Sequence, residues 1–521
     1  MKVWWAAGGI VVVVLLTAGV RPAQAQGWPG YSRDPQHSNL GTGPAQVPNR
    51  VRWSTPVDLD PQYTGSDLYI HYGSPLITRV NTVIVPVKTG ATGGFEVKAL
   101  SASTGSQLWG PITSDYTVPQ HNWFPIFGLT LTPKDTLLVI PAAGGTVLFR
   151  TFPDSSTGTT TRVAFYGTAN YNTNNTAFNN AIQISTPISA DASGNLYFGF
   201  ISNGAALPGY PSGITSGLAR ISTSGGAPVF VSAAQMSGNA GMVKVSYNSA
   251  PAFSSDGSTV YVAVNSVPLG QAGSLGTGYL CALNSATLAR KTSVPLLDPR
   301  YADTSAVMTD DSSATPTVGP DGDVYFGVLE YALPSNHERG WLLHYNSTLT
   351  TTKLPSAFGW DDTASIVPAS IVPSYTGPSS YLLLTKYNNY ADPGIGGNGI
   401  NKLAVVDPNV SMVDPITGAT VMNTVLTVVG PTPDPTLRNS TNPDAVREWC
   451  INAAAIDPAT KAAVVNSEDG HVYRWDFTTN TLSSGLYLAP ATGEAYTPTV
   501  IGPDGAVYAI NNALLFSAVA Q

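Results

Sequence analysis

The chain has 521 residues, a formal net charge of −8, only 11% charged residues, and 51 glycines with 41 prolines. This argues against a nucleic-acid partner, because phosphate recognition needs a concentrated basic surface and no basic run of that kind occurs. A 43% hydrophobic share supports a large core and sets disorder aside, while the glycine and proline load points to many turns between short strands.

In chain order, Lys2 precedes an apolar run over residues 3–20, and Ala23-Gln-Ala25 supplies a small-x-small cleavage site before Gln26. That is the pattern of a signal peptide over residues 1–25, with an uncleaved membrane anchor as the alternative. No cysteine follows the site, so a lipid anchor is not expected; with the leader cleaved no permanent membrane anchor is expected either, and the protein is expected to be secreted or periplasmic. Residues 26–50 read as a lead-in segment and 51–521 as one domain. The two cysteines, Cys281 and Cys450, lie far apart in sequence. Two buried free thiols are the expected reading, and one disulfide is the alternative in an oxidising compartment. Glycosylation sequons stand at Asn174, Asn346, Asn409 and Asn439 and matter only in a eukaryotic host.

One phrase recurs along the domain. It reads Pro187-Ile-Ser-Ala-Asp-Ala-Ser-Gly-Asn-Leu-Tyr-Phe, then Pro251-Ala-Phe-Ser-Ser-Asp-Gly-Ser-Thr-Val-Tyr-Val, then Pro316-Thr-Val-Gly-Pro-Asp-Gly-Asp-Val-Tyr-Phe, and finally Pro498-Thr-Val-Ile-Gly-Pro-Asp-Gly-Ala-Val-Tyr. Each copy predicts a strand, a tight turn and a second strand. Weaker copies begin at Pro75, near Pro125, near Pro368 and near Ala453. A third alternating strand follows each pair, as in Phe95-Glu-Val-Lys-Ala-Leu100, and often a fourth. Four antiparallel strands repeated at a fixed period predict an all-β protein, a β-propeller of eight four-stranded blades, or seven if a weak copy is only a long insertion. The last unit, ending at Leu514-Leu-Phe-Ser-Ala518, has three strands. Residues 51–57, around Trp53, look like an orphan fourth strand that pairs into that blade and closes the ring, removing two sheet edges.

The segment Ala99-Leu-Ser-Ala-Ser-Thr-Gly-Ser-Gln-Leu-Trp109 resembles the Ala-Leu-(Asp/Asn)-Ala-x-Thr-Gly-x-x-x-Trp repeat of the quinoprotein-like (PQQ-like) propellers. Trp28-Pro-Gly-Tyr-Ser-Arg-Asp-Pro-Gln-His-Ser-Asn-Leu-Gly41 resembles the lead-in of secreted members. The resemblance implies either a PQQ-dependent, calcium-assisted dehydrogenase of alcohols or sugars, or a cofactor-free propeller that acts as a scaffold. The adjacent cysteine pair on which the alcohol dehydrogenases stack PQQ is absent, and so is a haem-attachment Cys-x-x-Cys-His. No cofactor is therefore expected, with PQQ and calcium belonging to the dehydrogenase alternative.

Long loops between second and third strands gather on one face of such a ring, and the segments approaching each innermost strand open on the same face. Those approach segments carry His71 and Tyr72, His121 with Asn122 and Trp123, Lys244 with Tyr247, Asp310 and Asp311, Trp360 with Asp361 and Asp362, Arg447 with Glu448 and Trp449, and Glu494 with Tyr496. Aromatic faces with convergent polar groups at a channel mouth suit a small polar ligand, a glycan or a segment of a protein. The favoured reading is a monomeric binding or scaffold protein with that site. The dehydrogenase is the first alternative, and a polysaccharide lyase or glycosidase using Glu448 or His121 is the second. His344 alternates with apolar neighbours and reads as structural. Asn336-His-Glu-Arg339 reads equally as a ligand contact or a solvated loop tip. No zincin spacing, nucleophile elbow, phosphate loop or dinucleotide fingerprint is present.

Overall fold

A computed structural model describes residues 26–521 except 65–66, 70–72, 120–126, 224–226, 228, 272, 302, 311 and 492–496. Eight antiparallel blades follow one another along the described residues, beside two small two-stranded sheets, Gln62–Thr64 with Asp67–Tyr69 and Leu275–Gly276 with Met308–Thr309. Blade 1 holds Leu76–Ile77, Thr82–Gly90, Gly93–Ser101 and Gln107–Ser114; blades 2 to 7 lie within residues 130–164, 182–232, 244–295, 317–345, 365–429 and 455–487; blade 8 holds Val500–Ile501, Val507–Asn511, Leu514–Val519 and, as its fourth strand, Arg50–Pro56. Blade 5 is the irregular one. Its fourth strand is reduced to two isolated bridges, Leu342 with Ser356 and Tyr345 with Thr352. The fold is the eight-bladed propeller.

Burial within a blade falls from the axis outward. The second strands Leu196–Ser202, Thr259–Asn265 and Val507–Asn511 are buried at every position, whereas Gln107–Ser114 and Arg290–Pro295 are largely open to solvent. A strand packed on both faces by neighbouring blades needs a nearly continuous apolar run, as Thr259-Val-Tyr-Val-Ala-Val-Asn265 supplies. The apolar clusters lie between blades. One joins Val83 and Val85 of blade 1 to Tyr508 and Leu515 of blade 8, so the first and last units pack as neighbours.

Closure is carried by backbone pairing. Trp53 faces Ser517 and Pro56 faces Leu514 in an antiparallel ladder. The Trp53 indole N–H donates to the carbonyl of Ala102 at 2.7 Å, and Gly105, at φ +70°, lies so close to the indole that a Cβ there would stand 2.8 Å from the ring. Glycine is required at that point for both reasons.

The lead-in is an integral part of the ring. Residues 28–46 form a strap across the face that carries the short hairpin turns. Amides of the inner strands donate to it in turn: Ile77 to Trp28 at 2.9 Å, Leu131 to Pro29 at 2.7 Å, Phe253 to Pro35 at 2.8 Å, Val318 to Gln36 at 2.9 Å, Ile366 to Ser38 at 3.0 Å and Ile456 to Asn39 at 2.9 Å. The strap spans that face, opposite the one on which the approach segments are expected to open.

Some expectations are met and others are revised. A helix over Thr168–Asn179 links blades 2 and 3 and seats Tyr171 and Phe178 in the core; it carries the Asn174 sequon. Cys281 and Cys450 are free and buried, without a disulfide between them. Arg339 is neither a ligand contact nor a solvated tip. It is 1% exposed and forms two bonds to Asp414, at 2.7 and 3.2 Å, while Glu330 accepts the amides of Asn336, Glu338 and Gly340. The cluster anchors its loop from inside. His344 is structural, with Nε2 2.9 Å from Asp323 and its ring stacked on Tyr325. No helix of the described residues is long and apolar enough to cross a membrane.

Candidate functional site

Where eight sheets converge there is little room, so the approach segments turn to small residues as they near the axis: Ala250, Ser313, Ala314, Thr315, Thr363, Ala364, Asn452 and Ala453 are all buried. These residues bring the segments of blades 5, 6 and 7 together. The carboxylate of Asp361 accepts the Ser313 amide and, at 2.7 Å, the Ser313 hydroxyl. The Asn452 amide donates to Ser313 Oγ at 2.8 Å, and the Thr363 N–H donates to the carbonyl of Asn452 at 3.1 Å. From the strap side, the Tyr31 hydroxyl hydrogen-bonds Asn452 Oδ1, and burial pushes the Tyr31 phenol up to about 12. Strap and mouth are thus linked through one hydrogen-bonded chain along the axis.

The carboxylates have different environments. Asp362 is 1% exposed, and one of its oxygens is buried without a hydrogen bond. Burial raises its carboxyl to about 7, with Asp361 adding to the shift and Lys386 opposing it. Burial also holds Glu468 well above the usual carboxylate range; the Glu448 charge adds to this and Arg447 opposes it. The Tyr390 phenol is raised well above its usual value by burial and then by Glu448. Glu448 therefore lies within electrostatic reach of both Glu468 and Tyr390, and it is half-buried like Arg447 and Trp360.

Other sequence-derived positions are built into the scaffold. Lys244 and Asp310 form a fully buried ion pair at 2.8 Å, and Lys244 Nζ also donates to the carbonyl of Val267 at 2.8 Å and lies 4.9 Å from the Tyr247 ring centre. Burial raises the Asp310 carboxyl although Lys244 lowers it. This pair braces blade 4 against blade 5. Trp449 is 1% exposed and packs edge-on to Tyr473 at 5.8 Å, with its backbone held on both sides by Asn388. His71, Tyr72, His121, Trp123, Asp311, Glu494 and Tyr496 lie outside the described residues. Tyr31, Ser313, Tyr390, Asn452 and Glu468 were not singled out from the sequence. Tyr31 stands in the motif-bearing lead-in, but nothing in its spacing points to the axis; the other four sit in or beside segments of ordinary turn composition.

No family model and no curated protein matches the chain. Solved structures do. A europium-containing methanol dehydrogenase superposes with a TM-score of 0.53 at 9% identity, over 93% of this chain and 89% of that one. The quinohemoprotein alcohol dehydrogenase from Comamonas testosteroni gives 0.52 at 12% identity, over 96% and 82%. The chain shares the eight-bladed propeller fold with these two dehydrogenase structures. BamB from Moraxella catarrhalis also matches, at a TM-score of 0.42 and 12% identity over 91% and 98%. At these identities the likeness concerns the fold alone.

Those dehydrogenases raise the question of PQQ and a metal. Among the described residues, no group of three or more His, Cys, Asp and Glu side chains converges as a metal site. Asp361 is committed to Ser313, Asp310 to Lys244, and the two cysteines occupy different blades. No chemical step is assigned to a quinone cofactor or its metal.

Proposed function

We propose that this propeller is an exported binding protein whose mouth receives a small polyhydroxylated ligand, of carbohydrate type, without turning it over. The observation that carries the reading is the convergence of the blade 5, 6 and 7 approach segments on one axis that the strap spans from behind. A half-buried indole at Trp360 and half-buried polar groups at Arg447 and Glu448 suit a ligand that offers C–H faces and hydroxyls. The buried chain from Tyr31 to Asp361 supplies a rigid floor. The apolar leader with its Ala-x-Ala site supports a place outside the cytoplasm.

Calorimetric titration with a panel of neutral oligosaccharides tests this. One class binds, and Trp360→Ala or Glu448→Gln weakens it at least about tenfold, since a stacked ring or a charged hydrogen bond contributes about 1.5–3 kcal/mol. Absence of binding across the panel, or binding that neither substitution changes, contradicts the reading.

The second reading is a quinone-dependent dehydrogenase of alcohols or sugars, favoured by the two dehydrogenase structures that share the fold. Dye-linked oxidation after incubation with PQQ and calcium would replace the binding protein with that enzyme. The expected result is no turnover.

A further inference from the structure

Partway along its path the strap skips blade 3. Between Pro29, bonded to blade 2, and Pro35, bonded to blade 4, it takes no inner-strand amide from blade 3 and instead turns on itself, with Arg33 N–H donating to Gly30 O at 3.1 Å and Asp34 N–H to Ser32 O at 3.1 Å. Behind this turn lies a cavity of about 710 Å³ between the strap and the hairpin ends of blades 1, 2 and 3. It is on the face opposite the mouth, and its volume falls in the range of small-molecule sites.

Its walls carry both charges, but in different states. The acidic groups are engaged. Asp34 accepts from Arg33 and from the amides of Gln36 and Ser38. Asp135 pairs with Arg79, and Asp154 accepts from Thr78. Asp191 accepts from Ser193, Asn195 and Tyr197. The donors are not all engaged. Arg33 Nε is buried without a hydrogen bond, and so is the hydroxyl of Ser189, a residue only 6% exposed. Lys134 is exposed, with no ion pair among the described residues. A buried donor without an acceptor is a standing cost that an acceptor-rich ligand removes.

The backbone gives a second, independent sign. Four non-glycine residues of the lining adopt left-handed conformations: Arg33 at φ 77°, His37 at 59°, Lys134 at 63° and Asp135 at 54°. Such residues are uncommon, and a fold that keeps several around one cavity spends stability on a particular shape.

We propose that this cavity is a second binding site, for a small organic acid, with Arg33, Ser189 and Lys134 supplying the donors to its carboxylate. Apolar walls from Val80, Leu131 and Ile188 take the ligand's carbon skeleton. The site is independent of the mouth.

The test is calorimetric titration of the full chain with D-glucuronate, citrate and L-glutamate, each against wild type and variants. At least one acid binds. Arg33→Gln weakens that binding at least tenfold and Ser189→Ala by a smaller factor, while Trp360→Ala at the mouth leaves it unchanged. Should Arg33→Gln fail to fold, the exposed Lys134→Gln carries the test, with a loss of at least threefold. Binding by none of the three acids overturns the proposal. So does binding that the cavity variants leave intact, or that Trp360→Ala abolishes.

Discussion

His37 and Asp362 give the two faces of the ring opposite responses to pH. His37 is 1% exposed, its Nδ1–H donates to the carbonyl of Pro316 at 2.8 Å, and burial lowers its pKa from 6.5 to about 4. The unfolded chain therefore takes the proton first. Stability falls as pH drops from about 6.5 towards 4, by up to about 3 kcal/mol. Asparagine tolerates the left-handed backbone at this position, where φ is 59°. His37→Asn is expected to shrink the difference in unfolding free energy between pH 7 and pH 4, measured by urea titration. For Asp362 the sign reverses. Its carboxyl is raised from 3.8 to about 7, so the folded state keeps a proton that the unfolded chain has already lost. Stability is fully present below about pH 4 and falls as pH rises to about 7, by up to about 4 kcal/mol. Asp362→Asn imitates the protonated side chain. It should raise stability at pH 8 by a few kcal/mol and change it little near pH 4; equal effects at both values would contradict a carboxyl whose ionisation burial opposes.

At the scale of elements, the N-terminal segment performs two separable tasks. Residues 28–46 receive six inner-strand amides, and Arg50–Pro56 completes blade 8. At about 1 kcal/mol net for each hydrogen bond, the strap contributes on the order of 5 kcal/mol. A chain beginning at residue 47 should keep its far-ultraviolet spectrum and unfold at lower denaturant. A chain beginning at residue 58 leaves Leu514–Val519 as a bare edge and should associate, seen as early elution in size-exclusion chromatography. The closing strand was legible in the sequence because a three-stranded final unit demands a partner and Val51-Arg-Trp-Ser-Thr has the alternation to supply one. The hairpins were legible because Asp256-Gly257, Asp321-Gly322 and Asp504-Gly505 write their turn chemistry locally. The strap was not, because it is held by backbone carbonyls, which leave no mark on residue type. Nor was the helix Thr168–Asn179, whose Asn- and Thr-rich composition lacks the apolar periodicity that announces one.

For the molecule as a whole, the ring geometry explains which candidate residues were readable. Sequence direction alone places Asp361, Asp362, Glu448 and Trp360 in the approach segments on the mouth side. It does not tell which approach residues point to the axis and which are consumed between blades. Lys244, Asp310 and Trp449 carry the same residue types as a ligand site but serve the packing, a distinction set by tertiary neighbours. Tyr31 joins the axis from a segment more than four hundred residues away in sequence from its partner Asn452, a pairing that no local pattern encodes.

Both proposed sites depend on a ring sealed by its own N-terminal segment. Native-state hydrogen exchange followed by mass spectrometry measures this directly. Peptides covering residues 50–56 and 514–519 should exchange as one slow, cooperative unit, with the amides of Ile77, Leu131, Phe253, Val318, Ile366 and Ile456 protected beneath the strap. Exchange of residues 50–56 within seconds while 514–519 stays protected would contradict the closed ring and, with it, the mouth.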